Sequence, residues 1–201
     1  MEATGKVLHI SRKMPAARRR QVAPNGVIGM LMFVVAEIMF FGGLISAHTI
    51  VKTTALNGWP PPGQPRLPIE ETLINTAALI VSGFVLRAAH RAYRGRVGRL
   101  SAKRLMLIAM LLGAFFVGFQ GMEWAALLSQ GLTLTTSTHA GFFYLIIGAH
   151  ALHAIAGLSV LCWAYLRLRR GELLYSQLLT VEIFWYFVVA LWPILYWRVY
   201  L

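Results

Sequence analysis

Aspartate is absent from this 201-residue chain, cysteine occurs once, and only 13% of residues are charged. Each shortage excludes something. A water-soluble domain carries about 25% charged residues, so a chain with 58% apolar residues and a mean hydropathy of +0.64 does not read as one. The lone Cys162 sits in an apolar run, which rules out an intramolecular disulfide and a cysteine metal cluster. No phosphate-binding loop, dinucleotide fingerprint or Gly-x-Ser-x-Gly nucleophile elbow occurs, and no internal repeat is evident. What the chain has instead is a series of long apolar runs. Its length fits five bilayer crossings of roughly 20 to 25 residues with short loops, with no room for a second, soluble domain.

The 19 Lys and Arg outnumber the seven Glu. On one face of a soluble domain such an excess would suggest nucleic acid. Here the charges fall in blocks between apolar stretches, so they are read as a statement of membrane orientation, and no nucleic-acid partner is expected. The basic, proline-containing residues 1–26 form a cytoplasmic arm with no apolar helical stripe. The apolar stretch that follows is too long for a signal-peptide core of about 7 to 15 residues, so the first span is expected to be retained.

The fold expected is all-α, a polytopic membrane bundle of five helices at about 27–51, 69–89, 105–128, 139–166 and 173–196. Trp59 and the prolines at 60–62, 65 and 68 stop the first helix. Arg87 shortens the uncharged part of the second, so it snorkels toward the headgroups. No charge separates Glu123 from Arg167, a stretch of 43 residues that needs a turn, and the Thr- and Gly-rich 129–138 supplies it. The arm, the loop after span two and the loop after span four carry six, seven and three Lys or Arg; the opposite side has only Lys52, Arg66 and Arg198. That bias places the amino terminus in the cytoplasm and the carboxyl terminus outside.

An ionisable group near the bilayer midplane costs about 2.5 to 3.5 kcal/mol, so each calls for a partner or a purpose. Glu37 lies near the centre of span one. It reads either as a neutral acid hydrogen-bonded between helices or as a proton, ion or lipid site. His150 and His153, three residues apart at mid-depth of span four, share one helical face. Interhelical hydrogen bonding suits them better than a metal, for which further ligands are wanting, or a haem, which needs a histidine from each of two helices. Gln120 and Glu123 share a face near the outer end of span three and read as interfacial anchors. Glu182, two turns into span five, wants Arg or backbone donors nearby. Seven glycines, at 42, 43, 113, 118, 121, 148 and 157, are candidates for close helix approach.

Several of these stretches together resemble one family. They are Val35-Ala36-Glu37-Ile38-Met39-Phe40-Phe41, the segment FFYLIIGAHALHAIAG from Phe142 to Gly157, Gln120-Gly121-Met122-Glu123-Trp124, the terminal block from Trp185 to Trp192, and the Trp-Pro-Pro-Pro loop at 59–62. Their order and spacing resemble subunit III of the haem-copper oxidases, in the five-helix form. One departure is visible: where that family usually reads Trp-His-Phe-Val-Asp, this chain has Tyr186 and Val189 in place of the His and Asp. The resemblance implies a subunit without a catalytic centre, metal or haem of its own. It implies a place in a bacterial-type plasma (inner) membrane beside catalytic subunit I, subunit II and other respiratory-complex subunits, which hold the haems and copper. It also implies structural phospholipid, with Glu37, His153 and Arg167 matching positions near the lipid pocket and His150 matching the first histidine of the pair. A subunit III-like protein accompanying nitric oxide reductases, and a small proton-linked transporter using Glu37 and the histidines, stay open as alternatives.

Overall fold

A computed structural model describes residues 24–55, 59, 69–95 and 98–200. Residues 1–23 of the basic arm, the prolines at 60–62, 65 and 68, Arg66 and Arg96 lie outside the described residues. Among those described there are only helices: α1 (Asn25–Thr54), α2 (Ile69–Arg94), α3 (Arg99–Ser129), α4 (Thr138–Arg170), α5 (Tyr175–Leu195) and a terminal π-helical turn, Tyr196–Tyr200. Five are long and apolar enough to cross a membrane. Most run beyond the apolar windows read from the sequence. The polar ends belong to the headgroup zone, where a helix continues but hydropathy no longer reports it.

The helix ends have local causes. Ser137 caps α4 by accepting the Ala140 N–H at 3.1 Å, and Gly171, at φ +79, supplies the left-handed residue that ends it. Pro193 has no N–H to give the turn before it, and five residues of π-helix follow. That change of winding brings Tyr200 back over the bundle, where it is buried.

Helix α5 is the hub, packing against α1, α2 and α4, while α2 packs along α3 and α3 along α4. In lipid there is no water to expel between helices, so steric fit and hydrogen bonds hold the bundle. The buried stripe of α2 is accordingly polar at Thr72, Asn75, Thr76 and Ser82. Asn75 donates to the Phe116 carbonyl of α3 at 3.2 Å. Trp192 Nε1–H donates to Thr76 Oγ1 at 2.8 Å, and Trp185 Nε1–H to Ser82 Oγ at 3.1 Å. Tyr93 Oη–H reaches the Leu173 carbonyl at 2.6 Å at one end of the bundle, and Tyr196 Oη–H the Ile69 carbonyl at 3.0 Å at the other.

The candidate glycines divide. A Cβ on Gly113 would lie 2.6 Å from Trp185, on Gly157 3.0 Å from the same ring, and on Gly148 3.3 Å from Trp124. Gly113 admits an indole where a side chain would collide, and Gly157 and Gly148 let one approach more closely than a side chain ordinarily allows. Gly42, Gly43, Gly118 and Gly121 have nothing within 4 Å of a Cβ, so helix approach does not explain them.

Candidate functional site

The deep acid of α1 meets the second histidine of α4. Glu37 Oε2 lies 3.1 Å from His153 Nε2, and His153 Nδ1 lies 2.7 Å from the Ala149 carbonyl one turn back. A carbonyl can only accept, so Nδ1 carries a proton and donates it. The Glu37 contact then holds one proton in either arrangement, as carboxyl and neutral imidazole or as carboxylate and imidazolium. Both arrangements are neutral overall, which is what a low-dielectric surrounding favours. Phe33, Phe41, Phe184 and Phe187 ring the imidazole at 5.4–6.4 Å between centroids.

Two of those rings, Phe41 and Phe187, are also the wall of an apolar groove between α1 and α5, a cavity of about 520 Å³ running past Val34, Ile38, Tyr186 and Leu191. The pair therefore sits directly behind a surface that fits hydrocarbon. Tyr186 lines the groove, and its buried hydroxyl has no hydrogen-bond partner among the described residues. Val189 instead turns to α2, its Cγ1 3.2 Å from where a Cβ of Gly83 would be. The two departures from the family pattern thus serve a groove wall and a helix contact.

His150 does not join His153. It is enclosed between α3 and α5, 5.0 Å from the Trp192 ring and 6.2 Å from Phe116, with neither ring nitrogen hydrogen-bonded among the described residues. Three residues rotate a helix by about 300°, and here that turn hands one imidazole to α1 and the other to the core. Among the described residues no cluster of three or more His, Cys, Asp or Glu could hold a metal ion.

Gln120 and Glu123 are both enclosed within the bundle, where they join helices through hydrogen bonds. Thr72 Oγ1–H reaches both carboxyl oxygens of Glu123 at 3.0 Å, and Gln120 Nε2–H donates to Glu123 Oε2 at 2.8 Å and to Tyr200 Oη at 3.1 Å. This network ties α2, α3 and the terminal turn together. Glu182 finds a histidine instead of an arginine: its Oε2 is 2.7 Å from His90 Nδ1 on α2, both side chains buried. Nothing in the sequence reading paired His90 with it; the signal available was that both lie one to two turns from the same end of the bundle. Arg167 closes α4, its guanidinium 5.4 Å from the Trp163 ring and 3.9 Å from the Glu172 carboxylate.

Comparison with known proteins agrees with this architecture. The family model described as cytochrome c oxidase subunit III matches residues 15–201. The chain is 31% identical over 182 residues to the probable cytochrome c oxidase subunit 3 of Nocardia farcinica, covering 88% of each chain, and equally similar to that of Mycobacterium leprae. It is 32% identical over 180 residues to cytochrome c oxidase subunit 3 of Coturnix japonica, covering 86% of this chain and 67% of the relative. The chain, a multi-pass membrane protein by its five long apolar helices, belongs to the cytochrome c oxidase subunit III family.

Proposed function

We propose that the chain serves as the non-catalytic subunit III of a respiratory haem-copper oxidase in a bacterial-type plasma membrane. It lies beside catalytic subunit I, with subunit II and other respiratory subunits in the same complex; those neighbours hold the haems and copper. Its role is to carry structural phospholipid, stabilise the catalytic subunit and sustain that subunit's proton uptake. The amino-terminal arm and the basic end of the bundle face the cytoplasm, in keeping with the charge bias.

The observation that carries this reading is the neutral Glu37–His153 pair set behind the α1–α5 groove. The groove receives an acyl chain. Arg167 lies 14 residues beyond His153 on α4, roughly 21 Å at 1.5 Å per residue, which is an acyl-chain length away, and its guanidinium can take a lipid phosphate in a two-point hydrogen bond. Glu37 and His153 stand behind the groove wall. Their hydrogen bond holds α1 on the bundle without presenting a net charge to the tails.

Purification from native membranes in mild detergent is expected to bring haem-containing chains with it, while the isolated chain shows no Soret band. A stoichiometric haem in the isolated chain would overturn the assignment. Glu37→Gln is a second test. The amide can still donate to His153 Nε2, so assembly and initial oxygen consumption are expected to be preserved, the bundle to lose no more than about 1 kcal/mol, and the enzyme's working life during turnover to shorten. Complete loss of initial turnover counts against the structural role.

A further inference from the structure

At the Arg94 end of α2 the helix turns one face into a cationic pocket. Arg87, His90, Arg91 and Arg94 stand at i, i+3, i+4 and i+7, within one helical face. With Gly95 they line a cavity of about 290 Å³. Among the described residues no carboxylate lies within ion-pair distance of any of the three arginines. Glu182 is hydrogen-bonded to His90 Nδ1 at 2.7 Å, which holds that imidazole as the back wall, and it acts on Arg87 only electrostatically, beyond ion-pair distance. Arg94 is fixed across the Tyr175 ring at 5.6 Å. Aromatic contact positions that guanidinium but leaves its charge uncompensated.

The same face continues down the helix as apolar surface. Leu73, Ala77 and Phe84 share the azimuth of Arg87 and Arg91, and Leu73 and Phe84 are 57% and 71% exposed. Phe84 lies seven residues from Arg91, about 10 Å along the axis. The face therefore offers cations for a phosphate at one end and an aliphatic and aromatic track for a hydrocarbon tail below it. Water-soluble anions would use the first feature and not the second.

We propose that this face of α2 is a binding site for an anionic glycerophospholipid, with its phosphodiester between Arg87 and Arg91 and an acyl chain over Phe84. Guanidinium groups suit this because they bind phosphate oxygens in pairs and are weakly hydrated. Basic pockets at the ends of membrane helices select anionic headgroups by the same logic. The site is separate from the Glu37–His153 groove and does not rest on the role given to it.

The test is delipidated full-length chain in detergent, titrated with dioleoyl phosphatidylglycerol or dioleoyl phosphatidylcholine, with bound lipid counted by native mass spectrometry. The wild-type chain should retain phosphatidylglycerol in preference to phosphatidylcholine. The triple variant R87Q/R91Q/R94Q should weaken that preference by on the order of tenfold, and R87K/R91K/R94K, which keeps the charge but not the paired donors, should restore only part of it. Arg91 is exposed and has no carboxylate partner, so R91Q alone should fold and lose a smaller part of the preference. Unchanged phosphatidylglycerol binding in R91Q and in the triple variant overturns the proposal. Displacement of phosphatidylglycerol by millimolar inorganic phosphate overturns it too, since the site would then be a phosphate seat with no use for the tail. Glu37→Gln should leave this binding unchanged; a loss there would merge the two sites and refute their independence.

Discussion

Trp185→Ala is expected to destabilise the bundle by about 3 to 5 kcal/mol. The indole is fully buried and meets three helices at once. Its ring lies over Gly113 of α3 and Gly157 of α4, and its Nε1–H donates to Ser82 of α2 at 3.1 Å. Truncation empties a space that three backbones surround, and rigid helices close in on such a space only partly. It also strands the Ser82 hydroxyl, which keeps only its own bond to the Leu79 carbonyl. Gly113→Ala probes the same contact from the other side. Its new methyl would lie 2.6 Å from two indole carbons, and the ring is held on its far side by Gly157, so overpacking should cost about 1 to 3 kcal/mol. Trp163→Ala is the control: at 44% exposed it should change stability little. Thermal unfolding in detergent, read by the loss of helix signal, checks all three. Equal stability of Trp185→Ala and Trp163→Ala would show that α5 is not the hub of the fold.

The five crossings were legible in the sequence for a physical reason: a helix in hydrocarbon must satisfy its backbone internally and show apolar side chains outward, and both demands write themselves into composition over about 20 residues. Helix ends were less legible. Helices α2 and α4 end at Arg94 and Arg170, well into basic sequence, because guanidinium groups are at home among headgroups and do not stop a helix. The partners of polar residues were less legible still. The three-residue spacing put His150 and His153 on one face of α4, but which helix covers each side chain is a tertiary fact, and here α1 meets His153 while α3 and α5 enclose His150. Gln120 and Glu123 read as boundary residues from their depth alone. Their partners are Tyr200 of the terminal π-helical turn, which hydrogen-bonds Gln120, and Thr72 of α2, which hydrogen-bonds Glu123, and no local pattern announces either contact. Glycines show the same limit: Gly113 and Gly118 look alike in sequence, yet only the first faces an indole.

His90 and Glu182 form the cross-link whose removal should be most sensitive to how it is done. Either His90→Leu or Glu182→Leu alone leaves the other polar side chain buried between α2 and α5, and losing one member of a buried pair typically costs about 3 to 5 kcal/mol. Both ring and carboxyl are nearly enclosed, at 6% and 3% exposed, and Glu182 Oε1 already lacks a partner, so the abandoned acid would have no bond at all. The double variant H90L/E182L removes both polar groups at once. It should recover most of the loss, because the desolvation cost of the pair disappears with its attraction. The double-mutant cycle should therefore be strongly non-additive, with the double variant losing far less than the sum of the two single losses. Stability measured by thermal unfolding of the four proteins decides it. Additive losses would mean that the 2.7 Å contact is incidental and that packing alone holds α2 to α5. A double variant as stable as the wild type, combined with unaltered assembly into the oxidase complex, would show that the pair contributes little net energy and is not needed to set how these two helices meet.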